Sequence, residues 1–266
     1  DGGSNKAEIK DITLAKGSMI LAGNYGLNLS VLGNGQTTDQ PVFVDAINIQ
    51  EGAMLYGNKA AIYIGQNKDK NNNKKDNTVG QIIVAGEVKG GSEGGIVNEG
   101  TIKASENKSS SENGKKRSRR SLEDSSNQQS DEENKAAILI KESGQITSTS
   151  GYGIVNKAMI DGSIISKSSS NISIDNKENA TISGGITNSG SGTLMLNNSG
   201  SIGMNDKGYN ISNEGDGSVN ITSWTLRTDD TTKSLQTLKV GGRSANSVMV
   251  ENLIVDQSNL NMDELN

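Results

Sequence analysis

GGIVNEGTI, residues 94–102, holds two glycines, one acid and no obvious chemistry, yet its skeleton recurs along the chain. GYGIVNKAMIDGSI begins at Gly151, GGITNSGSGTL at Gly184 and GYNISNEGDGSVNI at Gly208. Ile96 and Asn98 are matched by Ile154 and Asn156, by Ile186 and Asn188, and by Ile211 and Asn213. The steps are 58, 32 and 25 residues (154−96, 186−154, 211−186). The first is long because it contains the polar stretch Ser105 to Asn134. Without that stretch it falls to about 28, inside the range that signals stacked repeats. Around each motif run short β-patterned segments broken by Gly, Asn and Asp, such as QIIVAGEV, AAILIKESGQIT, ISIDNKENATIS and TLMLNNSGSI. Glycine supplies the positive φ of a sharp corner, and Asn tolerates it. Stacked Asn side chains can satisfy one another as a ladder. A unit this small cannot bury its apolar face alone and must stack.

Composition narrows the choice. The 266 residues are 31% hydrophobic and 3% aromatic, with 33 Gly and one Pro. That is too polar for a thick core, while the regular recurrence of Ile, Val and Leu is foreign to a disordered chain. An antiparallel sandwich is the competing reading, but sandwiches spend more aromatics on their core. The expected fold is all-β: a right-handed parallel β-helix, with roughly nine or ten coils of about 25 residues. The whole chain, residues 1–266, is expected to be one β-helical segment, with a flexible charged loop, 105–134, inserted between coils. EIKDITLAKGSMILAG and INIQEGAMLYGNKAAIYIG fit the scheme less cleanly, turning at Lys16-Gly17 and Glu51-Gly52, and a polar insert from Gln66 to Gly80 follows the second. Ile96, Ile154, Ile186 and Ile211 are expected in one inward row, with the four Asn residues at one corner. Trp224 and the apolar residues of LKVGG and VMVENLIV are expected to close or continue the stack.

The chemistry open to this chain is limited. It has no Cys and no His, so thiol nucleophiles, Ser-His-Asp triads, imidazole bases and Cys/His zinc sites are excluded. Its net charge of −5 does not steer it toward nucleic acid. No apolar run of about 18 residues is present to span a membrane as a helix. The opening DGGSNKAE reads as the interior of something longer. DKNNNKKDNTVG, from Asp69, starts like a calcium loop with Asp69, Asn71 and Asn73, but Lys74 and Gly80 stand where Gly and Glu are needed. Asp161, Asp175 and Asp216 could in principle act as paired carboxylates on a polysaccharide, with Tyr152, Tyr209 and Trp224 as stacking residues. Each of those acids sits in a turn context where Asp is expected anyway. The Asn-x-Ser/Thr triplets at Asn171, Asn179 and Asn220 read as ladder and turn residues. No metal or cofactor is implied, and no catalysis.

The most distinctive segment is SENKSSSENGKKRSRRSLEDSSNQQSDEENK. Lys115, Lys116, Arg117, Arg119 and Arg120, followed by Ser121, form a candidate protease-processing loop that fits a convertase or a trypsin-like enzyme. The following acids (Glu123, Asp124, Asp131, Glu132, Glu133) cancel the local positive field within a Debye length, which argues against polyanion binding.

The final stretch, WTLRTDDTTKSLQTLKVGGRSANSVMVENLIVDQSNLNMDELN from Trp224, together with GGITNSG and GYNISNEG, resembles passenger domains of autotransporters of Helicobacter- and Campylobacter-type bacteria. That group includes the vacuolating cytotoxin and adhesin-like relatives, and the likeness is most specific from about Gly184 onward. It implies a non-catalytic passenger, secreted or held at the outer membrane by a β-barrel outside this sequence. Such a passenger would act in adhesion to a host surface protein or glycan, and self-association is compatible with it. Two alternatives follow from the residues: a toxin-type passenger nicked at the basic loop, and a polysaccharide-active β-helix enzyme.

Overall fold

The computed structural model describes residues 7–30, 40–68, 71, 73–104, 131–228, 236–243 and 247–256. The expected parallel β-helix is present. Among the described residues its rungs pair in parallel, and only the side hairpin Gln66–Lys68 with Lys74–Asp76 is antiparallel. Coil one holds Ala7–Leu14, Met19–Ala22 and Tyr25–Leu29. Coil two holds Val42–Ile49, Met54–Gly57 and Ala60–Ile64, and coil three Thr78–Val84, Glu87–Gly90 and Gly94–Asn98. These strands define three faces, called first, second and third here. In coil four the first face is split into Thr101–Lys103 and Ala136–Ile140, followed by Gln145–Ser148 and Ile154–Asn156.

Beyond coil four the second face ends, since Gln145–Ser148 is the last strand in its sheet. Coils five to seven keep a split first face and a third face. These are Met159–Asp161 and Ser163–Ser166 with Ile172–Asn176; Thr181–Ile182 and Ile186–Asn188 with Thr193–Asn198; and Ser201–Ile202 and Ile211–Asn213 with Ser218–Leu226. Val240–Gly242, Val248–Val250 and Leu253–Val255 form the eighth rung, so the region after Trp224 continues the stack. Among the described residues there are eight rungs, against the nine or ten expected for the chain, and they span about 35 Å. The difference lies in the residues that inserts and loops withhold from the coils.

Where the second face is lost, the chain turns through SGSG (189–192) and EGDG (214–217). A Cβ on Gly215 would lie 2.2 Å from the Gly190 carbonyl oxygen, and one on Gly217 2.1 Å from that of Gly192. Successive corners therefore stack backbone on backbone, which only glycine allows.

Inside, rows of one residue type run along the axis. On the first face Ile47, Ile82, Ile138, Ile164, Ile186 and Ile211 are successive register partners. On the third face the row is Ile62, Ile96, Ile154, Ile174, Leu196 and Ile221. All of these are fully buried in one continuous core. The single Ile row expected from the motif is therefore corrected: Ile96 and Ile154 lie on the third face, Ile186 and Ile211 on the first.

The Asn residues divide the same way. Asn98 donates from Nδ2 to Asn156 Oδ1 at 2.9 Å, Asn156 to Asn176 at 2.9 Å, and Asn176 to Asn198 at 2.8 Å. Each of these three amides also donates to a backbone carbonyl of a neighbouring coil, those of Met159, Thr181 and Ser201. A second ladder, Asn188 to Asn213 at 3.0 Å, stands at the end of the first face. Within each ladder the amides satisfy one another in a dry corner, which is the condition for burying them at all. At the ends of the longer ladder, Asn98 Oδ1 and Asn198 Nδ2 have no partner among the described residues. The rung partners there are Ile64 and Trp224, and neither offers the missing group.

Two boundaries shift. Residues 131–134, expected in the flexible loop, form a helical turn, and Glu133 is 5% exposed between Lys141 and Lys167. The Gln81 amide donates to the carbonyls of Glu133 and Ala136, fixing the turn to the first face. The insert expected over Gln66 to Gly80 is shorter, since Thr78 already begins a first-face strand. Buried Asn67 and Asn77 hold its base, with Asn77 Nδ2 donating to Asn67 Oδ1 at 3.0 Å. Among the described residues no helix is long and apolar enough to cross a membrane, which says nothing of crossing with strands.

Candidate binding cleft

In coils four to seven the first face is interrupted at one position on each rung. The interruptions are 104–135, Gly162, 183–185 and 203–210. Of the first, residues 104 and 131–135 are described; the last is a raised loop, and the two between them are short. The result is a cleft on the outside of the rod, walled by residues 132–135 and 204–207 and floored by Gly162, Ser163, Ile165, Gly184 and Thr187. Its volume is about 170 Å³.

Local chemistry holds both walls. Asn205 Oδ1 accepts from the backbone amides of Lys207 and Tyr209 at 3.1 and 3.0 Å. Its Nδ2 donates to Ser212 Oγ and Thr187 Oγ1, tying the loop down to the rungs beneath. The floor is low because it is glycine-rich. Gly162 has φ 138° and Gly185 φ 75°, both in the region that favours glycine, and a Cβ on Gly185 would meet the Asn205 amide nitrogen at 2.8 Å. Two ion pairs bridge the walls: Lys135 to Asp206 at 2.8 Å and Lys207 to Glu132 at 3.9 Å. Lys207 also reaches Glu214 at 3.3 Å. These groups are solvated, so each pair contributes little to stability, on the order of 0–1 kcal/mol. They can exchange partners with an incoming group at small cost.

A second outward surface lies on the third face of the early coils. Tyr25, Tyr63 and Tyr152 pack over buried Ala60, Val97 and Val155. The Tyr25 and Tyr63 ring centroids are 4.8 Å apart and tilted by 30°. Tyr25 donates to Glu93 Oε2 at 3.2 Å, and Tyr63 to Glu99 Oε2 at 2.7 Å. Lys157 binds Glu99 at 2.8 Å, Lys59 lies 3.8 Å from Glu93, and the Lys59 ammonium sits 5.7 Å above the Tyr25 ring. Burial, reinforced by the neighbouring carboxylates, raises the pKa of both phenols. Burial alone would raise the Glu99 pKa as well, but hydrogen bonds from Lys157 and Tyr63 outweigh it and hold the carboxyl below its usual range. The contribution of Glu99 to stability is therefore present above its unfolded pKa and is lost as pH falls through the lower folded value.

The residues singled out by sequence distribute as follows. Lys115, Lys116, Arg117, Arg119, Arg120 and Ser121 lie outside the described residues. Asp161, Asp175 and Asp216 are not brought together as a carboxylate pair. Asp161 is on the first face, 3.7 Å from Lys103. Asp175 is on the third face, buried against Lys177 at 2.6 Å and accepting from Asn197 at 2.9 Å. Asp216 is in the corner before Ser218. Among the described residues no cluster of acids could hold a metal ion. Asn179 is a turn residue with φ 65°, while Asn171 accepts from the Thr193 amide and Asn220 donates to Glu251 on the next rung. Of the cleft walls, the sequence marks only Glu132 and Glu133, as part of the acidic run after the basic cluster, and gives them no binding role. The one local signal for the 203–210 loop is MNDKG, an Asn/Asp/Gly turn cluster.

Compared with protein-family models, with curated proteins and with solved structures, the chain matches none of them.

Proposed function

We propose that this chain is a non-catalytic binding rod: a secreted or surface-displayed autotransporter passenger that attaches a bacterial surface to a host cell. The observation that carries this reading is the cleft at the split first face. Its volume of about 170 Å³ is well under the roughly 300 Å³ of a site that encloses a whole small ligand. It suits a single side chain or sugar ring projecting from a larger partner. Loops raised on a rigid scaffold are the usual place for such recognition. The likeness of residues 184–266 to autotransporter passengers supports the export route.

The test is binding of the labelled protein to cultured epithelial cells. Met204 is 41% exposed at the cleft, and Met204→Trp fills it without touching the core. Lys135→Glu reverses one wall charge facing Asp206. Both variants are expected to lose at least about tenfold in cell binding, on the order of 1.4 kcal/mol, with unchanged thermal midpoint. Met195→Ser, on the outside of the third face, serves as the control and is expected to bind normally. Equal binding by all four proteins contradicts the assignment, as does failure of the wild-type protein to bind.

A further inference from the structure

We propose that the tyrosine surface of the early coils is a binding site for a neutral, β-linked pyranose oligosaccharide. The chain has only five tyrosines, and three of them, Tyr25, Tyr63 and Tyr152, meet on this one outward patch. They come from coils one, two and four, so the parallel register rather than the sequence gathers them. Two of their hydroxyls are anchored on carboxylates, at 3.2 and 2.7 Å. The rings are therefore held before any ligand arrives, and little side-chain freedom remains to be lost on binding. A β-linked pyranose with equatorial substituents shows a flat C–H face whose partial positive charge complements the negative face of an aromatic ring.

The polar rim fits the same ligand. Glu93 and Glu99 accept hydrogen bonds and Lys157 donates them, matching the alternating needs of sugar hydroxyls. Two carboxylates balance two ammonium groups, so the surface does not select a polyanion. The rungs of Tyr63 and Tyr152 are paired on both sides; Tyr25–Leu29 is the end strand of its sheet among the described residues, so an added peptide strand would extend the stack beyond the patch rather than lie across the three rings.

Lys59 supplies the discriminating feature. Its ammonium lies over the Tyr25 ring, where the sugar face would sit, and its side chain is 48% exposed. It is an internal competitor that a ligand must displace. The inference goes beyond the adhesive reading and stands on a different face from the cleft. It is tested with free sugars, so failure in cell binding leaves it intact.

The experiment titrates the whole chain with lactose, cellotriose and tri-N-acetylchitotriose, followed by calorimetry and by the tyrosine ring signals in NMR, with a heparin hexasaccharide as the polyanionic comparison. At least one neutral sugar is expected to bind with a dissociation constant under about 10 mM. Tyr25→Ala should weaken that binding at least tenfold. Lys59→Ala should strengthen it severalfold, an outcome that damage to the fold cannot produce. If Tyr25→Ala disturbs folding, as judged by circular dichroism, Lys59→Ala alone decides. The proposal is overturned if no neutral sugar binds, if heparin binds more tightly than all three, or if Lys59→Ala leaves affinity unchanged or lower.

Discussion

Replacing Ile186 with Asp is expected to abolish the folded rod at room temperature. Ile186 is fully buried between Ile164 and Ile211, in a row whose every neighbour is aliphatic. A carboxylate there has no partner and cannot reach water. It must protonate or open the coil, at a cost of about 4 kcal/mol or more. Small domains retain only about 5–15 kcal/mol in total. A solenoid moreover depends on each nearest-neighbour interface, so one opened rung severs the stack. Ile186→Val, which removes one methylene group, is expected to cost only about 1 kcal/mol. Urea titration followed by circular dichroism separates the two. Equal midpoints for the Asp and Val variants would show that this row is not a dry core.

Asn156→Ala should have the next largest effect. Asn156 accepts from Asn98, donates to Asn176, and donates to the carbonyls of Ala158 and Thr181. Its loss removes the middle of the ladder and strands Asn176 Oδ1 in a dry corner. With each orphaned group costing about 1–3 kcal/mol, a net destabilisation of roughly 2–4 kcal/mol follows. Asn220→Ala is the matched comparison, because the bond it loses, to Glu251, is exposed; it should cost under about 0.5 kcal/mol. If the two variants melt alike, the buried ladder contributes nothing beyond an ordinary surface amide.

The fold was legible because its signal is local. Ile-x-Asn flanked by glycine states an inward residue, a corner and a close backbone contact within a few positions. The register was less legible. The same IVN, ITN and ISN triplets end strands on two different faces, and a motif read from sequence carries no label for its face. Asn176 and Asn198 were overlooked as ladder members because DN and NN at those positions lack the preceding GI. The cleft was not legible at all. Lys135 and Asp206 are 71 residues apart, and only the recurrence of a break at one position on successive rungs brings them to 2.8 Å. The same holds for Tyr25 and Glu93, 68 residues apart. In a solenoid, surface sites are assembled across rungs, so their residues are scattered at intervals that inserts make irregular.

The parallel two-ladder register underlies both proposed sites, since a slip of face would disperse each of them. The most direct test is proton NMR of the asparagine side-chain amides, looking for nuclear Overhauser contacts between assigned Nδ2 groups. The expected result is one connected series, Asn98 to Asn156 to Asn176 to Asn198, and a separate contact between Asn188 and Asn213. A contact joining Asn156 to Asn188, or no contact between Asn156 and Asn176, would contradict the register and with it the placement of both surfaces.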